Sequence, residues 1–282
     1  MKKIGLALGS GGARGLAHIL ILEVFEELGI KPSIMSGCSI GAIIASVYAA
    51  GISAKDMREI VDEVVFQKNS KFWEIHRRSD FVKMLDFIDP SLLKPGGIIK
   101  GEKFINFLEQ TIKVSTFEEL KIPLKVVATE YWEKKETVFD KGNLFNAIRA
   151  SYSIPGLFTP VKVNKHLYID GGMVNPLPFD LIKEESDITI AVDVTAPRTE
   201  YEEDIPPAYE LLFSTYQIMQ TSLIREKLKH TKPDILIRTN IKGIRVHEFM
   251  KAELIYKQAE PCKDKLKRRL DRILTKADDT QN

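Results

Sequence analysis

The chain has 282 residues and a mass of 32.0 kDa, enough to bury a substantial core, with 44% hydrophobic and 28% charged residues and a formal charge of +2. That balance excludes a collagenous or broadly disordered chain, and so small a net charge gives no ground for a nucleic-acid partner, although basic residues thicken towards the C-terminus. Two cysteines, Cys38 and Cys262, exclude a disulfide framework and offer no metal-ligand pair.

Lys2 to Leu8 reads as a first strand, broken at once by glycines after Leu8 rather than running on as a signal-peptide core. Arg14 to Leu28 has the period of an amphipathic helix closed by Gly29, Ser33 to Ser36 is a short strand, and Ile40 to Ala50 is a buried, Ala-rich helix. The stretch 61–101 mixes Phe66, Phe72, Trp73, Phe81, Met84, Leu85, Phe87 and Ile88 with charges and the break Pro95-Gly96-Gly97. It reads as a helical cap whose aromatic residues suit an acyl-chain pocket, although an ordinary pair of packed helices would use the same residues. Further apolar runs at Leu124 to Tyr131, Leu167 to Ile169, Ile188 to Val194 and Ile235 to Ile237 supply strands, and Leu144 to Tyr152 a helix. Long helices around Pro207 to Lys229 and His247 to Leu274 are expected outside the sheet. The alternation predicts an α/β fold in one domain over residues 1–276, a largely parallel, doubly wound sheet with helices on both faces, followed by a frayed tail at 277–282.

Functional loops of such sheets gather at the carboxyl ends of the strands, where three motifs of this chain fall. Gly37-Cys38-Ser39-Ile40-Gly41 is a G-x-S-x-G run between a strand and a helix, the pattern of a nucleophile elbow. A glycine-bounded turn with a helix-capping serine has the same letters. After the first strand comes Gly9-Ser10-Gly11-Gly12-Ala13-Arg14-Gly15, which can aim backbone N–H groups at one negative oxygen, either a phosphate or the oxyanion of acyl transfer. A dinucleotide fingerprint counted from Gly9 would need glycine where Arg14 stands, and a P-loop would need Gly-Lys-Ser/Thr, so the oxyanion is favoured. Tyr168-Ile169-Asp170-Gly171-Gly172 ends a strand on a carboxylate, which serves equally as a turn former. Ala150-Ser151-Tyr152-Ser153-Ile154-Pro155 stops a helix.

Together and in this order, these blocks resemble the patatin-like phospholipase family, in particular its bacterial members related to the catalytic domain of neuropathy target esterase. The resemblance covers about the first two-thirds of the chain and rests on G-G-x-R-G (Gly11 to Gly15), G-x-S-x-G (Gly37 to Gly41), A-S-x-x-x-P (Ala150 to Pro155) and D-G-G (Asp170 to Gly172). It implies an α/β/α sandwich and a serine acylhydrolase of phospholipase A or lysophospholipase type, with Ser39 as nucleophile and Asp170 as its base. It also implies an oxyanion hole from Gly11, Gly12 and Ala13, a loop held in shape by Arg14, and a non-basic role for a histidine at His18.

An unperturbed aspartate, with a pKa near ~3.9, is a feeble base for a hydroxyl, so the dyad requires desolvation. The rival is a triad using one of His18, His76, His166, His230 or His247. Asp193, which no glycine follows, reads as structural, and Cys38 as a small buried hydrophobe. The competing functions are a nucleotide-binding protein using the Gly9 to Gly15 loop and a catalytically weak regulatory member of the family. No cofactor, metal or calcium is expected, since no acidic cluster has calcium-loop spacing. The expected partner is a lipid or ester substrate, and the expected location is the cytoplasm, with peripheral contact at the inner membrane face. No apolar run reaches the ~18 residues of a membrane span. The basic segment Lys263, Lys265, Lys267, Arg268, Arg269 and Arg272 is either a headgroup contact or a solvated face.

Overall fold

A computed structural model describes residues 2–66, 97–195 and 208–279. Strand β1 (Ile4–Leu8) leads through a 3-10 turn (Gly12–Leu16) into helix α1 (Ala17–Glu27), and β2 (Ile34–Cys38) into α2 (Ile40–Ala49), followed by α3 (Ala54–Phe66). Of the expected cap, residues 67–96 lie outside the described residues; its first residues complete α3 and its last form β3 (Gly97–Ile99). There follow α4 (Glu102–Thr111), β4 (Leu124–Glu130), β5 (Lys135–Phe139), α5 (Leu144–Tyr152), β6 (Gly156–Phe158), β7 (Val161–Val163) and β8 (His166–Asp170). The chain closes with β9 (Ile188–Asp193), α6 (Ala208–His230), β10 (Ile235–Arg238) and α7 (Ala252–Asp279). The last helix therefore runs on through residues 277–279, which were expected as tail.

Among the described residues eight strands form one sheet in the order β10-β9-β1-β2-β4-β8-β7, with β5 on β4. β10, β9, β1, β2 and β4 pair in parallel, whereas β5, β8 and β7 run antiparallel to their neighbours. The sheet is thus mostly parallel with an antiparallel end. β5 and β7 escape a sequence reading because one is partly exposed throughout and the other has three residues, too few for a period to register. A small second sheet pairs β3 with β6.

Strand alternation sorts the core onto two faces. Ile4, Leu6 and Leu8 of β1, with Ile188, Ile190 and Val192 of β9, pack under α1, α2, α5 and α7. Ala7, Ala191 and Ile34 face the other way, against Ile224 of α6 and the 3-10 segment Phe179–Glu185. The basic run of α7 is partly spent on this packing. Lys263 Nζ reaches Glu23 Oε2 at 2.6 Å and Glu27 Oε1 at 2.7 Å, and Lys267 Nζ reaches Glu27 Oε2 at 2.6 Å, so two of the six cations face α1 rather than a headgroup.

β4 decides the placement of the site. One of its edges pairs with β5 from Val126 to Glu130. The other is shared: β2 occupies the first half, ending with Cys38 opposite Val127, and β8 the second, ending with Asp170 opposite Ala128. Because β2 runs parallel to β4 and β8 antiparallel, the carboxyl ends of β2 and β8 meet head-on. Leu8 lies opposite Gly37, so the glycine loop after β1 leaves the sheet beside the same point.

The closeness of these loops demands glycine at position 41, where an added Cβ would stand 2.1 Å from the Leu8 carbonyl oxygen. Backbone cannot yield as a side-chain tip can. Gly41→Ala is expected to cost at least ~3 kcal/mol in urea denaturation; a loss below ~1 kcal/mol would mean that the loops do not approach so closely.

Candidate active site

Ser39 has φ 56° and ψ −124°, a conformation a non-glycine residue adopts only when its surroundings enforce it. Gly37 permits the turn, since a Cβ there would lie 2.6 Å from Ala42 Cα. The side chain of Ser39 makes no capping bond to α2. Its Oγ donates instead to Asp170 Oδ2 at 2.7 Å, which answers the helix-cap alternative. The Ser39 N–H donates to Ser151 Oγ at 2.8 Å, and the Asp170 N–H to the Ser153 carbonyl at 2.9 Å. The Ala150 to Pro155 block, read from sequence as a helix stop, therefore brackets both members of the pair from the end of α5.

Asp170 is fully buried. Its Oδ1 accepts from the Gly172 N–H and from the Tyr216 hydroxyl, both at 2.7 Å. Burial drives its pKa up from 3.8 to about 6, and the bonds from Ser39, Tyr216 and Gly172 oppose that rise. Asp170 is therefore not an unperturbed aspartate: its pKa is raised to about 6 and its carboxyl is in direct contact with the Ser39 hydroxyl. Tyr216 was not foreseen. It lies on α6, 46 residues beyond Asp170, within a helix carrying no motif, and only packing of α6 on the sheet brings it in.

The glycine loop is pinned from behind. Buried Arg14 donates through Nε to the Val194 carbonyl at 3.1 Å and through Nη1 to that of Ile244 at 3.0 Å; desolvation pulls its pKa to about 10, against the favourable charge of Asp193. His18 Nε2 lies 2.8 Å from the Gly9 carbonyl, and burial pulls this ring down to about 4, so it is neutral at pH 7 and Nε2–H is the donor. The Ala13 N–H, expected as an oxyanion donor, is already spent on the Val246 carbonyl at 2.7 Å. Among the described residues the Gly11 and Gly12 N–H groups meet no acceptor. Gly12 sits at φ +58°, and a Cβ on it would stand 2.5 Å from the Val246 oxygen. Gly15 lies so close to α2 that a Cβ would come within 2.3 Å of Ile40.

The rival residues fall elsewhere. His166 is half exposed beside the buried carboxylate of Glu130, and His230 pairs with Glu226 at the surface. His76 lies outside the described residues, and among those described no histidine bonds Ser39. Asp193 closes the turn after β9 by accepting from the Thr195 N–H at 3.0 Å and pairs with Arg238. Cys38 is wholly buried, its thiol pushed well up by burial and then by the nearby Asp170 charge, which suits a small hydrophobe and not a nucleophile.

Residues 6–182 match the sequence profile of the patatin-like phospholipase family. An NTE family protein of Mycobacterium bovis is 33% identical over 223 residues, 79% of this chain and 57% of its own length. Neuropathy target esterase sws of Drosophila melanogaster is 32% identical over 181 residues, covering 64% of this chain and 12% of that protein. Human patatin-like phospholipase domain-containing protein 6 is 31% identical over 194 residues, 68% of this chain and 13% of its own. The chain thus spans little more than half the length of the mycobacterial relative and a small part of the animal ones. The crystal structure of VipD from Legionella pneumophila superposes with a TM-score of 0.52 at 17% identity, over 94% of this chain and 67% of that one, a likeness of fold.

The raised pKa of Asp170 has a thermodynamic signature. The folded protein holds this proton more tightly than the unfolded chain, so the linked stability is complete below about pH 4 and is lost as the pH rises through about 6. Asp170→Asn removes the titration. At pH 8 the variant should exceed the wild type by up to ~3 kcal/mol, with the gap closing towards pH 4; parallel pH–stability curves for the two proteins would contradict a desolvated Asp170.

Proposed function

The chain belongs to the patatin-like phospholipase family, and from that premise we propose that it is a serine acylhydrolase of phospholipase A or lysophospholipase type, cleaving carboxylic esters of lipids through Ser39 and Asp170. One observation carries the reading: the 2.7 Å bond from Ser39 Oγ to a buried carboxylate whose pKa lies near 6. A strained, nearly buried serine bonded to a tuned base is a costly arrangement for a residue with only a structural task.

Ser39 Oγ attacks the ester carbonyl carbon while its proton passes to Asp170 Oδ2. The negative charge that develops on the carbonyl oxygen is received by the Gly11 and Gly12 N–H groups, whose directions Arg14 and the Val246 carbonyl fix in advance. Collapse of the tetrahedral intermediate breaks the bond to the leaving oxygen, which takes the proton back from Asp170 and departs as an alcohol. Water then attacks the acyl-serine, giving its proton to the same carboxylate, and collapse returns that proton to Ser39 Oγ as the fatty acid leaves. With Ser39 only 5% exposed, water reaches the site sparingly until substrate enters. Tyr216 and the Gly172 N–H hold Oδ1 and leave Oδ2 free for the proton transfers. The lipid character of the substrate rests on family membership and on relatives named as phospholipases and esterases. A cytoplasmic setting remains part of the proposal.

A fluorophosphonate probe should label the wild type and leave Ser39→Ala unlabelled, with Asp170→Asn slowed by at least ~10³; equal labelling of wild type and Ser39→Ala would end the proposal. Because the carboxylate is the active form, kcat/KM for a soluble short-chain ester should rise with pH through about 6. Tyr216→Phe removes a bond that favours the charged form, so its acid limb should move up by about one pH unit; an unmoved limb would separate Tyr216 from the base.

A further inference from the structure

Helix α6 carries Tyr216, Gln220 and Ile224 on its buried side. Its other side is uncharged and largely apolar, with Ser214, Thr215 and Ser222 exposed among the hydrophobic residues. Of the eight exposed large hydrophobic side chains among the described residues, five lie here: Leu211 (46% exposed), Leu212 (59%), Ile218 (65%), Met219 (49%) and Leu223 (36%). From Leu211 to Ile224 the helix has no charged residue, a length of about 21 Å. An outer helix of an α/β sheet ordinarily turns charge to water, so an uncharged face with five exposed large hydrophobic side chains marks a contact surface.

Two features say what covers it. The face adjoins the proposed active centre, since the same helix bonds Asp170 through Tyr216 and an added Cβ on Gly156, in the strand following the Ala150 to Pro155 bracket, would touch Leu212. Its far end is cationic. Arg225 follows Ile218 by two helical turns on the same side, and with Leu228, Lys232, Pro233, Leu236 and Arg238 it lines a shallow, open pocket of about 310 Å³. Arg238 is paired with Asp193, whereas neither Arg225 nor Lys232 meets a carboxylate among the described residues. A largely apolar strip leading to cations that are unpaired among the described residues complements acyl chains beside a negative headgroup. No helix among the described residues is long and apolar enough to cross a membrane.

We propose that the outward face of α6, from Leu211 to Leu223, together with the Arg225 and Lys232 pocket, is the surface by which this protein docks on an anionic phospholipid bilayer and draws substrate towards Ser39. The inference rests on the acylhydrolase reading for its purpose, and its test is independent of turnover. Ser39→Ala protein is sedimented with phosphatidylcholine vesicles containing graded phosphatidylglycerol, alone and combined with Ile218→Glu and Met219→Glu or with Arg225→Ala. Binding should increase with anionic content, fall at least tenfold in the double glutamate variant, and fall about fivefold with Arg225→Ala. Ile218→Ser with Met219→Ser should shift binding the same way without adding charge. In the background with Ser39 intact, the glutamate pair should leave hydrolysis of a monomeric short-chain ester within about twofold of wild type. Vesicle binding that is absent, or the same in all variants, would overturn the docking surface. So would a vesicle-free dimer that the glutamate pair converts to monomer, since a second copy would then be the cover. Loss of ester turnover with vesicle binding intact would instead strike the catalytic reading.

Discussion

The hydrogen bond between Ser39 and Asp170 depends on two strands meeting end to end along one edge of a third. β2 and β8 divide the edge of β4 between them, and their opposite directions bring both carboxyl ends to the junction of Val127 and Ala128. Neither residue needs a long flexible side chain to reach the other. Each is fixed within a turn of a strand end, and a contact so placed is available before any substrate arrives. A purely parallel sheet would not give this geometry, because successive strand ends would then lie side by side.

That placement carries costs which the surrounding structure meets. Ser39 is held at positive φ, and the Asp170 carboxyl is wholly buried. The strain is offset by the bond from the Ser39 N–H to Ser151 and by glycines that let α2 approach β1. The desolvation is offset by three donors to the carboxylate, the hydroxyl of Ser39, the Gly172 N–H and the Tyr216 hydroxyl. The offset is incomplete, and the remainder is the displacement of the pKa towards neutrality, which is what the proposed role as a base for a hydroxyl requires. On that proposal, stability is given up at the position where reactivity is gained.

Much of this arrangement is legible in the chain. The glycine loop, the elbow and the Asp-Gly-Gly turn are local solutions to local steric problems, so their letters are fixed where they occur. Gly41 must be glycine because of Leu8, and Gly12 because of Val246. The strands β1, β2, β4 and β9 are equally readable, being short runs buried on both faces, as is the apolar run of the edge strand β10. The antiparallel end is not, since β5 and β7 are short and half exposed. The roles of Ser151 and Ser153 were hidden for a similar reason: a serine near a helix end looks the same whether it caps that helix or holds another element. Ala13 shows the reverse error, an N–H that a motif offers and that the 244–246 loop takes.

The sequence by itself determined the family, the α/β class and the candidate pair Ser39 and Asp170, because each rests on short-range patterns of glycine, serine, aspartate and apolar residues. Only the tertiary structure decided how basic Asp170 is, which donors surround it, and which N–H groups remain for an oxyanion. Those properties are sums over desolvation and hydrogen bonds from the β2–α2 turn, the turn after β8 and helix α6, elements distant in the chain, and no local pattern records what will be packed against a carboxylate once water is gone. The same holds for the outer face of α6, whose uncharged run was visible as letters but acquired meaning only when the opposite side of the helix was found against the site.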